Sequence, residues 1–426
     1  MRWSRYNLTY DLKNGLSLIY NTLSHYVICI DNEEMNRIRL EEIPGDEKEE
    51  FYRYGLLADD CEKERMIYEL DYRRFLSSSF HMWFYLTFKC NLACPYCYEK
   101  DAKGSGSSEA MTLETAERAV RWFEREAGNR KFDELNFTFS GGEPLLNMDI
   151  IKQICEEINK AGLRDISKFT LITNGCLLTP EVSRTLLEYR FDTIQITLDG
   201  PENIHDSRRF HPDGNPTFKR IIKNLLQLIK ISNGEISILI RVNIDAGNAE
   251  HIQALFDYFK KYNIDKWVTF NLGDTIKKKD GSDRDILVKI IEIYDRAKAQ
   301  GLSVCISEAT PCSISNGSFY IVAPDGDIYK CPALAGNKDF AISSTNSESY
   351  YGAYYRIMNL TPWKKCLDCD IVGICSGGCR YRRFINYGAF DEEKFCRKEY
   401  LKEVIKRQTI DHYNNSENME PGRLHA

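Results

Sequence analysis

No run of eighteen apolar residues occurs anywhere in this chain of 426 residues, which excludes a membrane-spanning helix. The opening residues, Met1-Arg2-Trp3-Ser4-Arg5-Tyr6, lack the apolar centre of a signal peptide, so a cytoplasmic protein is expected. An excess of positive charge is also missing. With 57 Lys and Arg against 63 Asp and Glu, the net charge is −6, and no overall basic field argues for nucleic acid. Nor is the composition that of a disordered chain, because 43% of residues are hydrophobic and 12% aromatic. The length calls for two or three domains. What the chain has in excess is cysteine: 15 of them, without any sign of export. An odd, dense set of thiols in such a protein points to metal rather than disulfides.

The cysteines are unevenly placed. Cys90, Cys94 and Cys97 crowd together, eight more run from Cys305 to Cys396, and Cys29, Cys61, Cys155 and Cys176 stand alone. Between the two groups, short β-branched or aromatic runs at 83–88, 135–139, 169–173, 193–198, 236–243 and 266–270 alternate with amphipathic stretches at 113–127, 150–161, 180–189, 217–231, 249–262 and 283–300. Six strand–helix units with continuous apolar strands predict an α/β fold with a parallel sheet covered by helices. Six units are too few for a closed eight-stranded barrel, so an open, partial barrel is expected, with chemistry at the C-terminal strand ends. The first 80 residues differ: strands are expected at 6–12, 16–20 and 26–30, with Lys13-Asn14-Gly15 as a hairpin turn, then charged helices around 46–59 and 62–75. Residues 103–108 read as a Gly/Ser loop, and the polar end from Asn414 reads as a frayed tail. The expected division is 1–80 as an N-terminal domain, 81–300 as the barrel, 301–400 as a cysteine-rich domain and 401–426 as a terminal helix and tail.

Cys90-Asn91-Leu92-Ala93-Cys94-Pro95-Tyr96-Cys97 spells C-x3-C-x2-C directly after the first barrel strand. Three thiolates so spaced can wrap one face of a metal centre. Tetrahedral zinc needs a fourth ligand, which no neighbouring His or Cys supplies. A 4Fe–4S cluster on three thiolates leaves one iron open. A zinc knuckle or ordinary buried thiols are the plainer alternatives. The motif, with its aromatic before the third cysteine, resembles that of the radical S-adenosylmethionine (SAM) superfamily. The resemblance implies that the open iron chelates SAM, whose reductive cleavage gives a 5′-deoxyadenosyl radical that takes a substrate hydrogen. It also implies an external electron donor such as flavodoxin or ferredoxin.

The same resemblance extends strand by strand. Ser140-Gly141-Gly142-Glu143-Pro144 follows the second strand and matches the family's GGEP motif, which implies contact with the SAM amino group; glycines there let backbone approach a ligand closely. Thr173 and Asn174 after strand three, and Thr197 at strand four, fall where the family places ribose or carboxylate contacts. Arg241 in strand five fits the family's SAM-carboxylate arginine, for which a guanidinium fork is suited; a sheet-end ion pair is its plain alternative.

Cys312 is followed after thirteen residues by Gly326 and after four more by Cys331; then come Cys366-x2-Cys369-x5-Cys375-x3-Cys379 and finally Cys396. This pattern resembles the SPASM domain, an extension that binds two auxiliary 4Fe–4S clusters. By that analogy Cys305, Cys312, Cys331 and Cys379 hold one cluster, and Cys366, Cys369, Cys375 and Cys396 the other. Cys305 lies in an apolar strand at 302–306 and is equally readable as a buried thiol. Zinc ribbons are the alternative that C-x2-C pairs alone suggest.

SPASM proteins mostly modify peptides or proteins. The segment Asp199-Gly200-Pro201 through His205-Asp206-Ser207-Arg208 resembles the strand-four segment of such peptide maturases, and Ser4 to Asn7 with Leu18 to Ser24 is similar to the start of maturases acting on cysteine-rich ribosomal peptides. The resemblance therefore implies a maturase of the sactipeptide or ranthipeptide type. Such an enzyme abstracts a carbon-bound hydrogen from a ribosomally made precursor and joins a cysteine sulfur to that carbon, the auxiliary clusters accepting the surplus electron. Formylglycine formation in sulfatases, carbon–carbon crosslinking, and a non-enzymatic iron–sulfur or zinc protein are the alternatives. The N-terminal strands are compatible with capture of a leader peptide as an added strand, or with a plain cap. Asp199 and Asp206 are candidate proton acceptors, weighed against ordinary capping or ion-pair roles, and His205 is weighed likewise against packing or hydrogen bonding.

Overall fold

The computed structural model describes residues 1–12, 15–40, 42–100, 109–128, 130–275, 283–306, 312–346, 351–390, 396–415 and 424–425. The expected turn residues Lys13 and Asn14, the loop at 103–108 and most of the tail lie outside them. Two compact units emerge. A terminal unit comprises Met1–Leu76, Glu308–Asn316 and Leu360–Ala426, and a barrel unit comprises Ser77–Ser307 and Gly317–Asn359. Among the described residues, no helix is long and apolar enough to cross a membrane.

In the terminal unit the chain begins with β1 (Arg2–Trp3), β2 (Asn7–Asp11), β3 (Leu16–Asn21) and β4 (Val27–Asp31), then α1 (Asn32–Arg39), α2 (Gly45–Arg53), β5 (Leu57–Ala58) and α3 (Glu62–Phe75). Strands β2, β3 and β4 form an antiparallel sheet with β2 at one edge; Leu424–His425 pair with β4 at the other. Ile19, Ile28 and Ile30 from the sheet pack on Met35, Ile38 and Phe51 from the helices. Helix α1 was not expected, because its sequence NEEMNRIR buries only Met35 and Ile38. It is set instead by its cap: the Asp31 carboxylate accepts from the Glu34 amide at 2.8 Å.

The barrel unit follows with β6 (Ser79–Tyr85), α4 (Leu113–Ala127), β7 (Glu134–Ser140), α5 (Met148–Lys160), β8 (Ser167–Thr173), α6 (Pro180–Glu188), β9 (Thr193–Thr197), α7 (Glu202–Arg208), α8 (Phe218–Ser232), β10 (Ser237–Ile244), α9 (Ile252–Lys261), β11 (Val268–Asp274), α10 (Asp283–Ala299) and β12 (Val304–Ile306). Strands β6 to β12 are parallel and adjacent in chain order, as the alternating pattern predicts. The sheet stays open, ending at β12 on one side, and the six expected strand–helix units are β6 to β11 with their helices. Phe84, Phe137, Phe139, Phe169 and Phe191 stack through its helix-facing side, each fully buried ring contributing about 1.5–3 kcal/mol.

In the barrel two strand boundaries differ from expectation by several residues, and in the terminal unit the helix expected around 46–59 ends at Arg53, with Leu57–Ala58 a strand. Strand β6 starts at Ser79 and ends at Tyr85, and the apolar residues after it, Leu86 to Phe88, leave the sheet to enter the cysteine loop. Strand β11 runs on through Gly273 and Asp274, which glycine and aspartate disguise in the sequence. The other side of the sheet is extended by β13 (Phe319–Val322), β14 (Asp327–Tyr329) and β15 (Ser343–Ser344), with β13 parallel to β6; α11 (Tyr351–Met358) follows.

The chain then returns to the terminal unit as α12 (Val372–Cys375), α13 (Arg380–Tyr387) and α14 (Lys398–Asn415). Trp363 and Val372 complete a core with Tyr6, Met66 and Leu70. Three donors from the first 76 residues seize carbonyls of one cysteine-bearing loop: Tyr6 on Leu367 at 2.8 Å, Thr22 on Asp370 at 2.6 Å and Arg73 on Gly373 at 2.9 Å. The compact units thus cut across the expected 301–400 segment, giving 317–359 to the barrel unit and 360 onwards to the terminal unit.

Candidate functional site

The cysteine loop leaves the C-terminal end of β6, where a parallel sheet gathers its chemistry. Cys90 is exposed, Cys97 partly accessible and Cys94 buried. The Leu92 amide points at the Cys90 sulfur at 3.4 Å, and Asn174 Nδ2 lies 3.9 Å from the same atom while donating to Asn91 Oδ1 at 2.7 Å. Among the described residues no three His, Cys, Asp or Glu side chains cluster tightly enough for one metal ion. A four-iron cube spreads its thiolates wider than a single ion does, so the fit rests on the donor set. Three thiols on one short loop, with an amide turned toward sulfur, are the donors such a cube takes.

The Gly141-Gly142 turn is built by backbone-to-backbone packing. A Cβ at Gly141 would lie 2.3 Å from the Thr87 carbonyl oxygen, and one at Gly142 only 2.2 Å from that of Lys89. The Gly142 and Glu143 amides donate to those carbonyls at 2.7 and 2.9 Å. The glycines therefore clear space first for the chain's own strand leading into the cysteine loop, where the sequence suggested only a ligand. Glu143 is fully buried, and its carboxylate accepts from the Thr173 hydroxyl at 2.6 Å, the Asn174 amide at 2.8 Å and the Leu145 amide at 3.2 Å. Burial pushes it up, and those three donors oppose the rise. Glu143 thus ties the end of β7 to the end of β8. Ser140 Oγ accepts from the Trp83 indole.

Thr197, Arg241, Asn271 and Cys305 form one row across β9, β10, β11 and β12, since each pairs with the next in register. Arg241 donates to Asn243 Oδ1 at 3.0 Å and Asn271 Oδ1 at 2.7 Å, and its guanidinium lies over Gly273, where a Cβ would be 2.4 Å away. Asn271 Nδ2 reaches the Cys305 sulfur at 3.3 Å. Asn243 and Asn271 were not among the expected residues. Their signal was a polar side chain recurring at alternate positions of otherwise apolar strands.

Both candidate carboxylates are committed to the fold. Asp199 has no exposed surface; it accepts from the Tyr96 hydroxyl and, at 3.0 Å, from the Asn243 amide. Asp206 accepts from the Thr217 and Phe218 amides, both at 2.8 Å, and so caps α8. These are the ordinary roles weighed against proton transfer. His205 is buried. Its Nδ1 accepts from the Asp199 amide at 3.3 Å and its Nε2 meets the Thr217 hydroxyl at 3.1 Å, an arrangement that burial and the nearby Arg209 and Arg208 keep neutral.

In the terminal unit, Cys375 is pushed up to about 12 by burial and further by Cys396, Cys369 and Cys366, so four thiols gather there. Cys379 is likewise raised by burial and by Cys312 beside it. Cys305 and Cys331 belong to the barrel unit.

Residues 84–280 match the family profile described as Radical SAM superfamily. The radical SAM cyclopropyl synthase TigE of Paramaledivibacter caminithermalis is 25% identical over 405 residues, spanning 85% of this chain and 79% of that protein. A cysteine-type anaerobic sulfatase-maturating enzyme of Clostridium perfringens is 24% identical over 68% of this chain and 86% of its own length. Among solved structures, native anSMEcpe with bound AdoMet superposes with a TM-score of 0.62 at 19% identity, covering 79% of this chain and all of that one. SuiB of Streptococcus suis bound to S-adenosylmethionine gives 0.54 at 17% identity over 91% of this chain and 97% of that one. With the open parallel sheet, the three-thiol loop at its first strand and the matched profile in agreement, residues 84–280 form a Radical SAM domain, and the chain is an enzyme.

Proposed function

We propose that this enzyme is a maturase of a ribosomally made, cysteine-containing precursor peptide, in which it installs a thioether from a cysteine thiol to a carbon of another residue. The observation that carries the reading is the presence in one chain of two thiol sets: three on the loop after β6, and four gathered at Cys366, Cys369, Cys375 and Cys396. Bound at the first set, a 4Fe–4S cluster and SAM supply a radical able to remove a carbon-bound hydrogen. The chain's own residues position and enclose. Cys90, Cys94 and Cys97 hold the cluster, and Asn174 and Glu143 fix the loop ends around it. Thr197 and Arg241 offer hydroxyl and guanidinium donors to the cofactor's ribose and carboxylate. Cys366, Cys369, Cys375 and Cys396 hold an auxiliary cluster, and Cys312 and Cys379 contribute to a second.

The N-terminal sheet supports a peptide partner, because β2 lies at its edge and an edge strand can pair with extended backbone. Formylglycine formation is the second reading, favoured by the names of the sulfatase-maturating relatives.

Anaerobic co-expression with a short cysteine-containing peptide encoded beside the gene, followed by tandem mass spectrometry, tests the proposal. Loss of two hydrogens per crosslink, with thiols that resist alkylation, is expected. An unaltered peptide together with conversion of a sulfatase fragment establishes the second reading instead. Cys94→Ala abolishes 5′-deoxyadenosine formation in either case.

A further inference from the structure

Gly273 stands inside β11, in register with Asn243 of β10, and its backbone is not left-handed. A glycine within a strand weakens it, and here no turn requires one; the remaining use of such a position is close approach by another group. That group is the guanidinium of Arg241. A Cβ at position 273 would stand 2.6 Å from Nη1 and 2.8 Å from Cζ, and closer still to Nη2, so the planar head lies across bare backbone. Any side chain there would evict it.

Two amides grip the head along its edges. Asn243 Oδ1 accepts from Nε at 3.0 Å, and Asn271 Oδ1 accepts from Nη1 at 2.7 Å. Arginine carries donors and no acceptor, so the oxygen of Asn271 must face it and the amide nitrogen must face away. That nitrogen donates to the Cys305 sulfur at 3.3 Å. A thiol and a ligating thiolate both accept, so the contact suits either state of Cys305. Asn271, 8% exposed, is thereby held in one orientation between β10 and β12. Both acceptors are uncharged amides: they set the direction of the guanidinium without neutralising it.

We propose that Asn271 and Gly273 are positioning residues that hold the Arg241 guanidinium in place for a carboxylate, and so set how strongly the site selects a cofactor bearing one. Asn271 fixes the direction of one edge of the head, and Gly273 fixes its height over the sheet. The inference rests on the reading that Arg241 meets the carboxylate of SAM. A guanidinium already held in place loses little freedom when a carboxylate arrives, and that saving appears as affinity. No bond is made or broken.

The test compares two ligands of the anaerobically reconstituted full chain, SAM and decarboxylated SAM, by equilibrium dialysis. On the cluster reading the open iron also takes the carboxylate, so the readout is the change in the ratio of affinities on substitution. Asn271→Ala weakens SAM about tenfold, the worth of one charge-assisted contact, and decarboxylated SAM by less than about twofold. Gly273→Ala, which pushes the head off its seat, lowers SAM affinity with the same selectivity. Asn271→Asp keeps an oxygen for Arg241 but neutralises it, and also loses SAM selectively. Unchanged SAM affinity in Asn271→Ala overturns the proposal. So do equal losses for both ligands, because a merely loosened site does not tell them apart. Should Asn271→Ala or Gly273→Ala fail to fold by circular dichroism, the nearly isosteric Asn271→Asp decides by the same comparison. Arg241→Met separates the two readings. A ratio left at the wild-type value in Arg241→Met refutes the carboxylate role of Arg241 itself. A ratio that falls in Arg241→Met and stays at the wild-type value in Asn271→Ala sinks the positioning role alone.

Discussion

His25 sits in a left-handed conformation, φ 64°, at the turn before β4, and its ring is enclosed by Tyr20 and Arg73. The Tyr20 hydroxyl lies 2.8 Å from Nδ1, and the Arg73 guanidinium occupies Nε2. Burial, then the Arg73 charge, push the imidazole down to about 4, with Glu69 opposing. The folded form is therefore neutral while the unfolded chain takes up a proton near pH 6.5. Stability contributed by this residue is complete above pH 6.5, is lost as the pH falls towards 4, and falls no further below that. The loss is of order 3 kcal/mol. Denaturant unfolding of the full chain across this window should show wild type losing stability on the acid side and His25→Asn, which tolerates the same φ, nearly flat by comparison. Parallel profiles would show that another group governs the acid limb. None of this was legible in the sequence, where His25 has no motif around it. The cysteines and the GGEP turn were legible because their chemistry fixes spacing. Asn271 was not, because its partners come from segments distant in sequence.

At the scale of elements, the six strand–helix alternations of the barrel could be read directly, since buried parallel strands leave continuous apolar runs. What the pattern could not give was the support of the loop between Cys366 and Cys375. Gly373 in that loop packs on the end of β3, so closely that a Cβ would stand 1.9 Å from the Thr22 carbonyl oxygen. The contact is backbone on backbone, leaving no flexible side chain to yield. Gly373→Ala must displace the loop or the strand, at about 1–3 kcal/mol, and with them the carbonyls held by Tyr6, Thr22 and Arg73. On the proposed reading of three four-iron clusters, iron per chain after anaerobic reconstitution should drop by about four atoms from about twelve. The SAM-responsive electron paramagnetic resonance signal of the β6 loop should be preserved. Full iron content in the variant would refute this dependence.

At the scale of the molecule, the chain passes between the two units more than once, and this was the least legible feature. Cysteine spacing suggested a self-contained C-terminal domain at 301–400. In the structure β13 lies beside β6 in the barrel sheet, while Trp363 and Val372 fill a core with Tyr6, Met66 and Leu70. A fragment comprising residues 301–426 should therefore remain unfolded when made alone. It lacks the partner strand for β13 and the apolar surface that Trp363 covers. Circular dichroism and hydrogen exchange on the purified fragment measure this; a protected fragment that binds iron would refute it.

The return of the chain to its first core also sets a timetable. Tyr6, Met66 and Leu70 are synthesised before the barrel, and Trp363 and Val372 after it. At ribosomal speeds of about 5–20 residues per second, the interval is roughly tens of seconds. Through that time the N-terminal half of the core waits uncovered, and before it ends the loop bearing Cys90, Cys94 and Cys97 has gained all the strands of the barrel sheet from β6 to β13. On the proposed cluster reading, insertion then has a natural order: the three-cysteine loop can be loaded on a nascent chain, and the four-thiol set only once Cys396 has emerged.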